Sequence, residues 1–322
     1  MLSARPFGAE LEVMLPAFSA NLPAGPDTHT RVAKFLRRQG IDAVSEYELG
    51  TNSRNFSNKT WLVKEDETLR TKGDLAEGTE IVSPILSGEA DMKKLREVAQ
   101  ILKDAGFTTN GLTGFHVHHD VTDLDIDGWQ RLMTNFVLAE PAFDRLVDEG
   151  RRLNNNSHAL STRQEPDIMP LIEHFDDEMT VSDICKQLFP GVRSNHDLKL
   201  NVDAFWKHGT AEFRQHQGTL CPDEIEHWVR LTQGFVDHAS NSPELISVNT
   251  GITDPEEAWD EVTDERKSAQ DRLLANLLSV APAQTRQHFH QVAAANDDTR
   301  PELVRAARPL ANSPQPVLRY AG

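Results

Sequence analysis

The chain has 322 residues and a formal net charge of −17, because 50 Asp and Glu outnumber 33 Lys and Arg. This acidic balance argues against sequence-independent nucleic-acid binding, which needs clustered basic side chains, and no apolar run reaches the ~18 residues of a membrane span. The composition predicts a soluble, folded protein with one large domain or two moderate ones. Two distant cysteines, Cys185 and Cys221, imply no disulfide framework. Because Glu10 and Glu12 come too early for a signal peptide, we expect a cytoplasmic protein.

Strands and helices are mixed along the chain without a strict alternation of the two. Apolar alternation predicts strands at 7–15, 41–49, 61–65 and 80–82, and a β-hairpin from 197–206 and 209–217. Apolar side chains at helical spacing predict helices at 28–40, 89–105, 126–148 (interrupted at Pro141), 182–189, 222–240 and 254–279. This mixture predicts an α+β protein.

We divide the chain into a main domain at 1–245 and a C-terminal helical extension with a tail at 246–322. Within the main domain, 150–180 lacks clear periodicity and contains two prolines. This predicts a long loop of the kind that often acts as a functional lid. After residue 280 the sequence is rich in Ala, Pro and Gln, and we expect the last dozen residues to form a tail.

Two short predicted strands carry metal-type ligands at every second residue. Glu10 and Glu12 share one face of the first strand, because residues i and i+2 of a strand project to the same side. His116 and His118 share a face in the same way. Each pair alone has an ordinary explanation, since Glu-x-Glu often marks a solvated face and His-x-His a satisfied polar pair.

Two further segments complete the set. Glu212 and Arg214 repeat the two-residue spacing with one acid and one guanidinium, although such a pair is commonly a cross-strand salt bridge. Glu80 is a fourth carboxylate candidate. Carboxylates with one or two imidazoles suit Mg²⁺ or Mn²⁺, and an arginine beside them suits a phosphate.

The order of these motifs resembles that of the amidoligase family, carboxylate–amine ligases of the glutamine synthetase-like fold. The resemblance covers roughly residues 5–240, with Thr68 where an Asp-x-Ser motif would have serine. The matching segments are Phe7–Glu12, Trp61–Asp66, Glu80–Leu86, Asn110–His118, Lys199–Asn201 and Glu212–Leu220.

The resemblance implies a curved antiparallel sheet that lines the active site and is backed by helices. It also implies an ATP-dependent ligase that forms an amide through an acyl-phosphate, with two or more Mg²⁺ or Mn²⁺ ions. Small-molecule or peptide carboxylates and amines would be its substrates, and an oligomer is compatible with the sequence. The metal ligands implied are Glu10, Glu12, Glu80, His116 and Glu212, and the nucleotide or phosphate contacts are His118 and Arg214.

Four other side chains enter as weaker candidates. Asp66 follows a strand led by tryptophan and is a candidate to deprotonate the amine, or else a turn residue. Asn201 and Arg193 are candidates for contacts with substrate or phosphate, with surface roles as the alternative. His216 is expected to share the face of Arg214 and to pack rather than catalyse.

Two other functions fit the same residues. One is an ATP-dependent phosphotransferase of the guanidino-kinase type, which would phosphorylate without forming an amide. The other is a non-catalytic metal-binding interaction protein. The complete acidic set together with Arg214 argues against the latter, because decayed sites usually lose ligands.

Overall fold

The computed structural model describes residues 2–16, 22–50, 59–69, 78–152, 156–162, 179–180, 183, 197–247, 250 and 264–306. Several predictions therefore lie wholly or mainly outside the described residues. They are the lid at 150–180, the helix at 182–189, Arg193 and the C-terminal tail.

The described strands form one open sheet in the order β2-β3-β4-β1-β5-β7-β6. Neighbouring strands are antiparallel except β2 and β3, which are parallel. The α+β class is therefore confirmed. The sheet is open and only mostly antiparallel, whereas the resemblance implied a curved antiparallel sheet. The strands are β1 (Phe7–Met14), β2 (Ala43–Ser45), β3 (Trp61–Lys64), β4 (Gly78–Val82), β5 (Gly114–Asp120), β6 (Leu200–Asn201) and β7 (Thr210–Gln217).

Helices cover one face of this sheet. Phe213 of β7 contacts Phe136 of α4 and Phe235 of α6, with ring centroids 5.9 and 6.1 Å apart. No helix in the described ranges is both long and apolar enough to cross a membrane. The helices are α1 (Thr28–Arg38), α2 (Glu46–Leu49), α3 (Gly88–Asp104), α4 (Ile126–Asp144), α5 (Ala204–His208), α6 (Pro222–Asn241), α7 (Asp264–Ser279) and α8 (Ala283–Ala306).

The alternation of β1 separates the core from the polar face. Ala9, Leu11 and Val13 are buried in the core beneath the helices. Glu10 and Glu12 project from the other side of the same strand, because successive side chains of a strand alternate. The predicted amphipathic strand is thus confirmed, and it points its carboxylates away from the core.

The predicted strand at 41–49 is wrong in its second half. Only Ala43–Ser45 is extended, and α2 follows at once. Ser45 and Glu48 form a capping box: the Glu48 N–H donates to Ser45 Oγ at 3.1 Å, and the Ser45 N–H donates to Glu48 Oε2 at 3.1 Å. This reciprocal pair starts a helix where apolar alternation suggested more strand.

The first arm of the predicted hairpin is also wrong in extent. Only Leu200–Asn201 pairs with β7, and residues 204–208 form α5. Asn201 Oδ1 accepts from the Asp203 N–H at 3.0 Å and turns the chain, and Gly209 ends the helix with a positive φ of 69°. Phe205 stacks edge-on against Trp129 at 5.4 Å, which anchors α5 to α4.

Pro141 does not interrupt α4, which continues through it to Asp144. The aromatic core outweighs the lost backbone donor: Phe136 and Phe143, on either side of the proline, contact each other at 5.5 Å. Phe143 also contacts Phe235 of α6 at 5.3 Å. Tertiary packing of this kind commonly overrides local propensity.

The C-terminal helices join the same core as the sheet. Leu277 of α7 and Phe289 of α8 are buried in it, and α7 packs on α4 while α8 packs on α6. The helical character predicted after residue 245 is present in both. The domain boundary at 245 stays a prediction.

Gly234 provides a test of that packing. A β-carbon there would lie 2.4 Å from the carbonyl oxygen of Val280, in the segment between α7 and α8. Gly→Ala inside a helix normally stabilises by about 1 kcal/mol, but here we expect Gly234→Ala to destabilise by roughly 1–3 kcal/mol. Denaturant unfolding measures this, with Gly150→Ala as the control because nothing lies within 4 Å of its added carbon. A more stable Gly234→Ala protein would contradict the close approach of the C-terminal helices.

Candidate functional site

The polar face of the sheet lines a cleft of about 650 Å³. Its walls come from β1, β3, β4, β5, β6, β7 and α5. Every candidate side chain within the described residues lies in it, except His216. These are Glu10, Glu12, Asp66, Glu80, His116, His118, Asn201, Glu212 and Arg214.

Strand register brings these side chains together. Glu12 is opposite Glu80, and Glu10 is opposite His116 on the other side of β1. Farther across the sheet, His118 pairs with Glu212, which also pairs with Asn201. Directly opposed residues have β-carbons about 5 Å apart, so segments distant in sequence become one row of ligands.

Glu10, His118 and Glu212 form the tightest group, with one potential ligand atom from each lying within 4.8 Å of the others. His118 Nε2 is 3.3 Å from Glu10 Oε1 and 3.7 Å from Glu212 Oε1. His116 lies at the same carboxylates, with Nδ1 3.2 Å from Glu10 Oε2 and 3.6 Å from Glu212 Oε1. The division of roles between the two histidines stays a prediction.

The electrostatics of this group lower the pKa of two carboxylates and raise the pKa of one imidazole. Burial would raise the pKa of Glu10, but contacts with His116 and His118 hold it well below its usual range. Burial opposes ionisation of Glu212 too, yet His118 and Arg214 lower its pKa. The pKa of His118 is raised, because Glu212 and Glu10 outweigh the burial that would lower it.

Glu80 differs from the other carboxylates. Burial and the nearby charge of Glu10 raise its pKa well above the usual range, although Lys64 Nζ lies 2.9 Å from Glu80 Oε2. Its other oxygen, Oε1, is buried and has no hydrogen-bond partner among the described residues. A buried carboxylate oxygen without a partner is costly unless something binds it, so the arrangement suits an added cation.

Arg214 and Asn201 are both anchored on Glu212. Arg214 Nη1 donates to Glu212 Oε1 at 2.6 Å, and Asn201 Nδ2 donates to Glu212 Oε2 at 2.6 Å. Burial would lower the pKa of Arg214, but Glu212 and Glu10 raise it. The guanidinium is therefore a fixed positive charge beside the carboxylates.

Glycine is required at the start of β5. The Gly114 N–H donates to Glu12 Oε2 at 2.6 Å. A β-carbon at Gly114 would lie 2.5 Å from His116 Nε2 and 3.3 Å from Arg151 Nη2. The Gly-Phe-His-Val-His segment thus combines two imidazoles with a close backbone approach to the Glu12 carboxylate.

Asp66 lines the cleft and also makes a turn. Its Oδ1 accepts from the Thr68 N–H at 2.8 Å and from Thr68 Oγ1 at 2.7 Å. Asp66 is therefore a turn residue, which was the alternative considered from the sequence. Thr68 supplies the hydroxyl where serine was expected. A role towards an amine stays a prediction.

Several lining residues were missed by sequence reasoning. Lys64 ends β3 within the quoted Trp61–Asp66 motif, and its pairing with Glu80 was not foreseen. Trp206, Lys207 and His208 line the cleft from α5, with Trp206 52% exposed. They were missed because the segment was assigned to a hairpin. Arg151 is buried, and its Nη2 donates to the Thr113 carbonyl oxygen beside β5.

His216 does not share the face of Arg214, which corrects the expectation from two-residue spacing. Between β5 and β7 the register shifts, so that Val117 opposes Phe213 but Phe115 opposes His216. This β-bulge gives β7 one extra residue and reverses the direction of His216. His216 lies instead against Trp228 of α6, with ring centroids 4.7 Å apart. The expected packing role fits that position.

Comparison with known proteins gives one family. A profile of the family described as "Putative amidoligase enzyme" matches residues 3–236, a range that includes all seven of the described strands and every candidate side chain. No curated protein matches the chain.

The buried His216 leads to a pH dependence of stability. Burial lowers its pKa from 6.5 to about 4, so the folded protein binds fewer protons than the unfolded chain between these values. The free energy of unfolding should therefore fall as pH decreases through this window, by ~2 kcal/mol at pH 5 from this residue. His216→Gln should flatten the dependence, and His290→Gln, at an exposed position, should not. Denaturant unfolding at pH 7 and pH 5 compares the three proteins, and an unchanged slope in His216→Gln would exclude the assignment.

Proposed function

The chain belongs to the amidoligase family, and we propose that it is an ATP-dependent carboxylate–amine ligase with a glutamine synthetase-like catalytic fold. It would form an amide or peptide-like bond through an acyl-phosphate. The observation that carries the proposal is that four carboxylates, two imidazoles and one guanidinium converge from strands β1, β4, β5 and β7 in a single cleft. The proposed substrates are small-molecule or peptide carboxylates and amines, and the proposed compartment is the cytoplasm.

The donor set of the cleft fits Mg²⁺ or Mn²⁺. Carboxylate oxygens with imidazole are the ligands these ions accept, and the unpartnered Oε1 of Glu80 supports an added cation. Divalent ions bound there would neutralise phosphate charge and orient the phosphate oxygens. The residues proposed to hold them are Glu10, Glu12, Glu80, His116 and Glu212, and His118 beside them is proposed to contact the nucleotide.

Arg214 is proposed to contact the phosphate that is transferred. The hydrogen bond from Nη1 to Glu212 fixes the guanidinium at the wall of the cleft, so little orientation is lost when a ligand arrives. A planar guanidinium can meet two phosphate oxygens at once. Since phosphoryl transfer depends mainly on positioning and charge neutralisation, a fixed donor at this point serves both.

The acidic rim after β3 is proposed to receive the amine. Glu65, Asp66 and Glu67 line the same cleft and would attract an ammonium group. Asp66 would take its proton, which leaves a neutral amine to attack the acyl carbon. The new C–N bond then forms as the C–O bond to phosphate breaks, and inorganic phosphate leaves.

One experiment separates this proposal from the two alternatives. The protein is incubated with ATP, Mg²⁺ and a mixed pool of amines and amino acids, and products are identified by mass spectrometry. Release of ADP that requires both a carboxylate and an amine supports the ligase. Release with a single phosphorylated acceptor supports the phosphotransferase, and no ADP with any pool supports the non-catalytic binder.

Nucleotide affinity should depend on divalent metal. Without it, the carboxylates that line the cleft repel a polyphosphate, so calorimetry should show ATP binding with Mg²⁺ and only weak binding in EDTA. Glu212→Gln should lose the metal-dependent affinity. Glu89→Gln, which breaks an ion pair with Arg230 outside the cleft, should keep it. Equal affinity for ATP in Mg²⁺ and in EDTA would contradict the assignment of the metal ligands.

Arg214→Lys tests the phosphate contact. The lysine keeps a positive charge near Glu212 but loses the planar fork, so we expect kcat to fall by roughly 10²-fold or more with little change in stability. Arg230→Lys is the matched control, because Arg230 pairs with Glu89 and Glu226 away from the cleft. Normal turnover in Arg214→Lys would contradict the phosphate contact and leave Arg214 with only a structural role in its ion pair with Glu212.

A further inference from the structure

We propose that Asp144 is a positioning residue for Arg214, acting from the helix side of the sheet. The inference rests on the proposed function, in which Arg214 binds the transferred phosphate. Asp144 is the last residue of α4 and does not line the cleft. Its influence would pass through the backbones of β6 and β7, because Asp144 contacts Lys199, directly before β6, and Gln215 on β7.

Asp144 belongs to a buried polar cluster between α4 and the sheet. Lys199 Nζ donates to Asp144 Oδ1 at 2.6 Å and to Glu140 Oε1 at 3.0 Å. Gln215 Nε2 donates to the same Asp144 Oδ1. The side chains of Lys199 and Glu140 are 0% exposed, and Thr162 satisfies Glu140 Oε2 through its N–H and its hydroxyl. The cluster is therefore a hydrogen-bonded unit and not an isolated charge.

The two donors to Asp144 flank Arg214. The Arg214 N–H donates to the Lys199 carbonyl oxygen at 2.8 Å, and Gln215 is the next residue along β7. One carboxylate thus restrains both the acceptor of the Arg214 amide and the residue that follows it.

The β-bulge explains why such a restraint is needed. Arg214 lies in the stretch between Phe213 and His216 where the pairing with β5 shifts by one residue. In a regular ladder the pleat alone would set the side of the sheet on which each residue points, but a bulge breaks that rule. Arg214 keeps the two-residue alternation with Glu212, and the break falls between Gln215 and His216, which both lie on the helix side. The contact of Gln215 with Asp144 therefore fixes where the alternation stops, directly after Arg214.

Stability alone is a weak explanation for the cluster. A buried ion pair often contributes no more than well-packed apolar side chains of the same volume, whereas its attested use is to specify one arrangement among several. Lys199 remains charged, because Glu140 and Asp144 raise its pKa although burial would lower it. The charged lysine pairs with two acids, and this pairing favours the observed register of β6 against β7.

A double-mutant cycle tests the inference with MgATP and MgADP as probes. Calorimetry gives the ratio of their affinities, which reports the contact of Arg214 with the terminal phosphate. We expect Arg214→Ala to reduce the ratio, and Asp144→Asn to reduce it about fivefold or more in the parent protein. In the Arg214→Ala background, Asp144→Asn should have no further effect, because it acts only through the guanidinium.

Two further variants distinguish a loss of Arg214 positioning from a general loss of stability. Gln215→Met removes one donor to Asp144 without leaving a buried charge, and it should show the same coupling to Arg214. Asp297→Asn breaks an ion pair of the neighbouring Arg145, and it should lower the melting temperature while leaving the affinity ratio unchanged.

Additive effects of Asp144→Asn and Arg214→Ala would overturn the inference, and so would a parent-like ratio in folded Asp144→Asn and Gln215→Met. These outcomes leave the proposed function standing if the parent still distinguishes the nucleotides through Arg214. If the parent binds neither MgATP nor MgADP, the proposed function fails and this inference fails with it.

Discussion

The crowding of four carboxylates on one sheet face is the constraint on which the rest of the site depends. Two like charges 4 Å apart repel by about 4 kcal/mol at the effective dielectric of a protein, and Glu12, Glu80 and Glu212 are each less than one-tenth exposed. The protein offsets this repulsion in three ways. Imidazoles lie against Glu10, Arg214 and Asn201 donate to Glu212, and Lys64 pairs with Glu80. Of these four described carboxylates, Glu80 is the one with a raised pKa and an oxygen that has no hydrogen-bond partner among the described residues. At Glu80, therefore, the repulsion between the carboxylates is not fully offset.

Much of this arrangement could be predicted from the sequence, because it follows from the two-residue period of a strand. Glu10 and Glu12 had to share a face once β1 was extended, and so did His116 and His118. The sequence could not give the register between strands. That register pairs Glu10 with His116 and His118 with Glu212, and it depends on the packing of the core face beneath.

The errors have local physical causes. A capping box at Ser45 and Glu48 converts the end of a predicted strand into α2. A turn at Asn201 and a glycine at 209 replace the predicted hairpin arm by α5, which brings Trp206 and Lys207 into the cleft. Aromatic packing on both sides of Pro141 accompanies a helix α4 that continues through it, where propensity favours a break. In each case a contact that alternation and propensity do not encode decides the structure.

The bulge in β7 shows how the two faces of the sheet depend on each other. Phe213, Gln215 and His216 all face the helices, whereas Arg214 alone among them lies in the cleft. A regular strand could not place three of four consecutive residues on one side. The contacts behind the sheet therefore accompany the point at which the alternation stops, one residue after Arg214. Asp144 contacts Gln215 and Trp228 contacts His216 on the helix side, next to the cleft pair of Glu212 and Arg214, whose atoms are 2.6 Å apart.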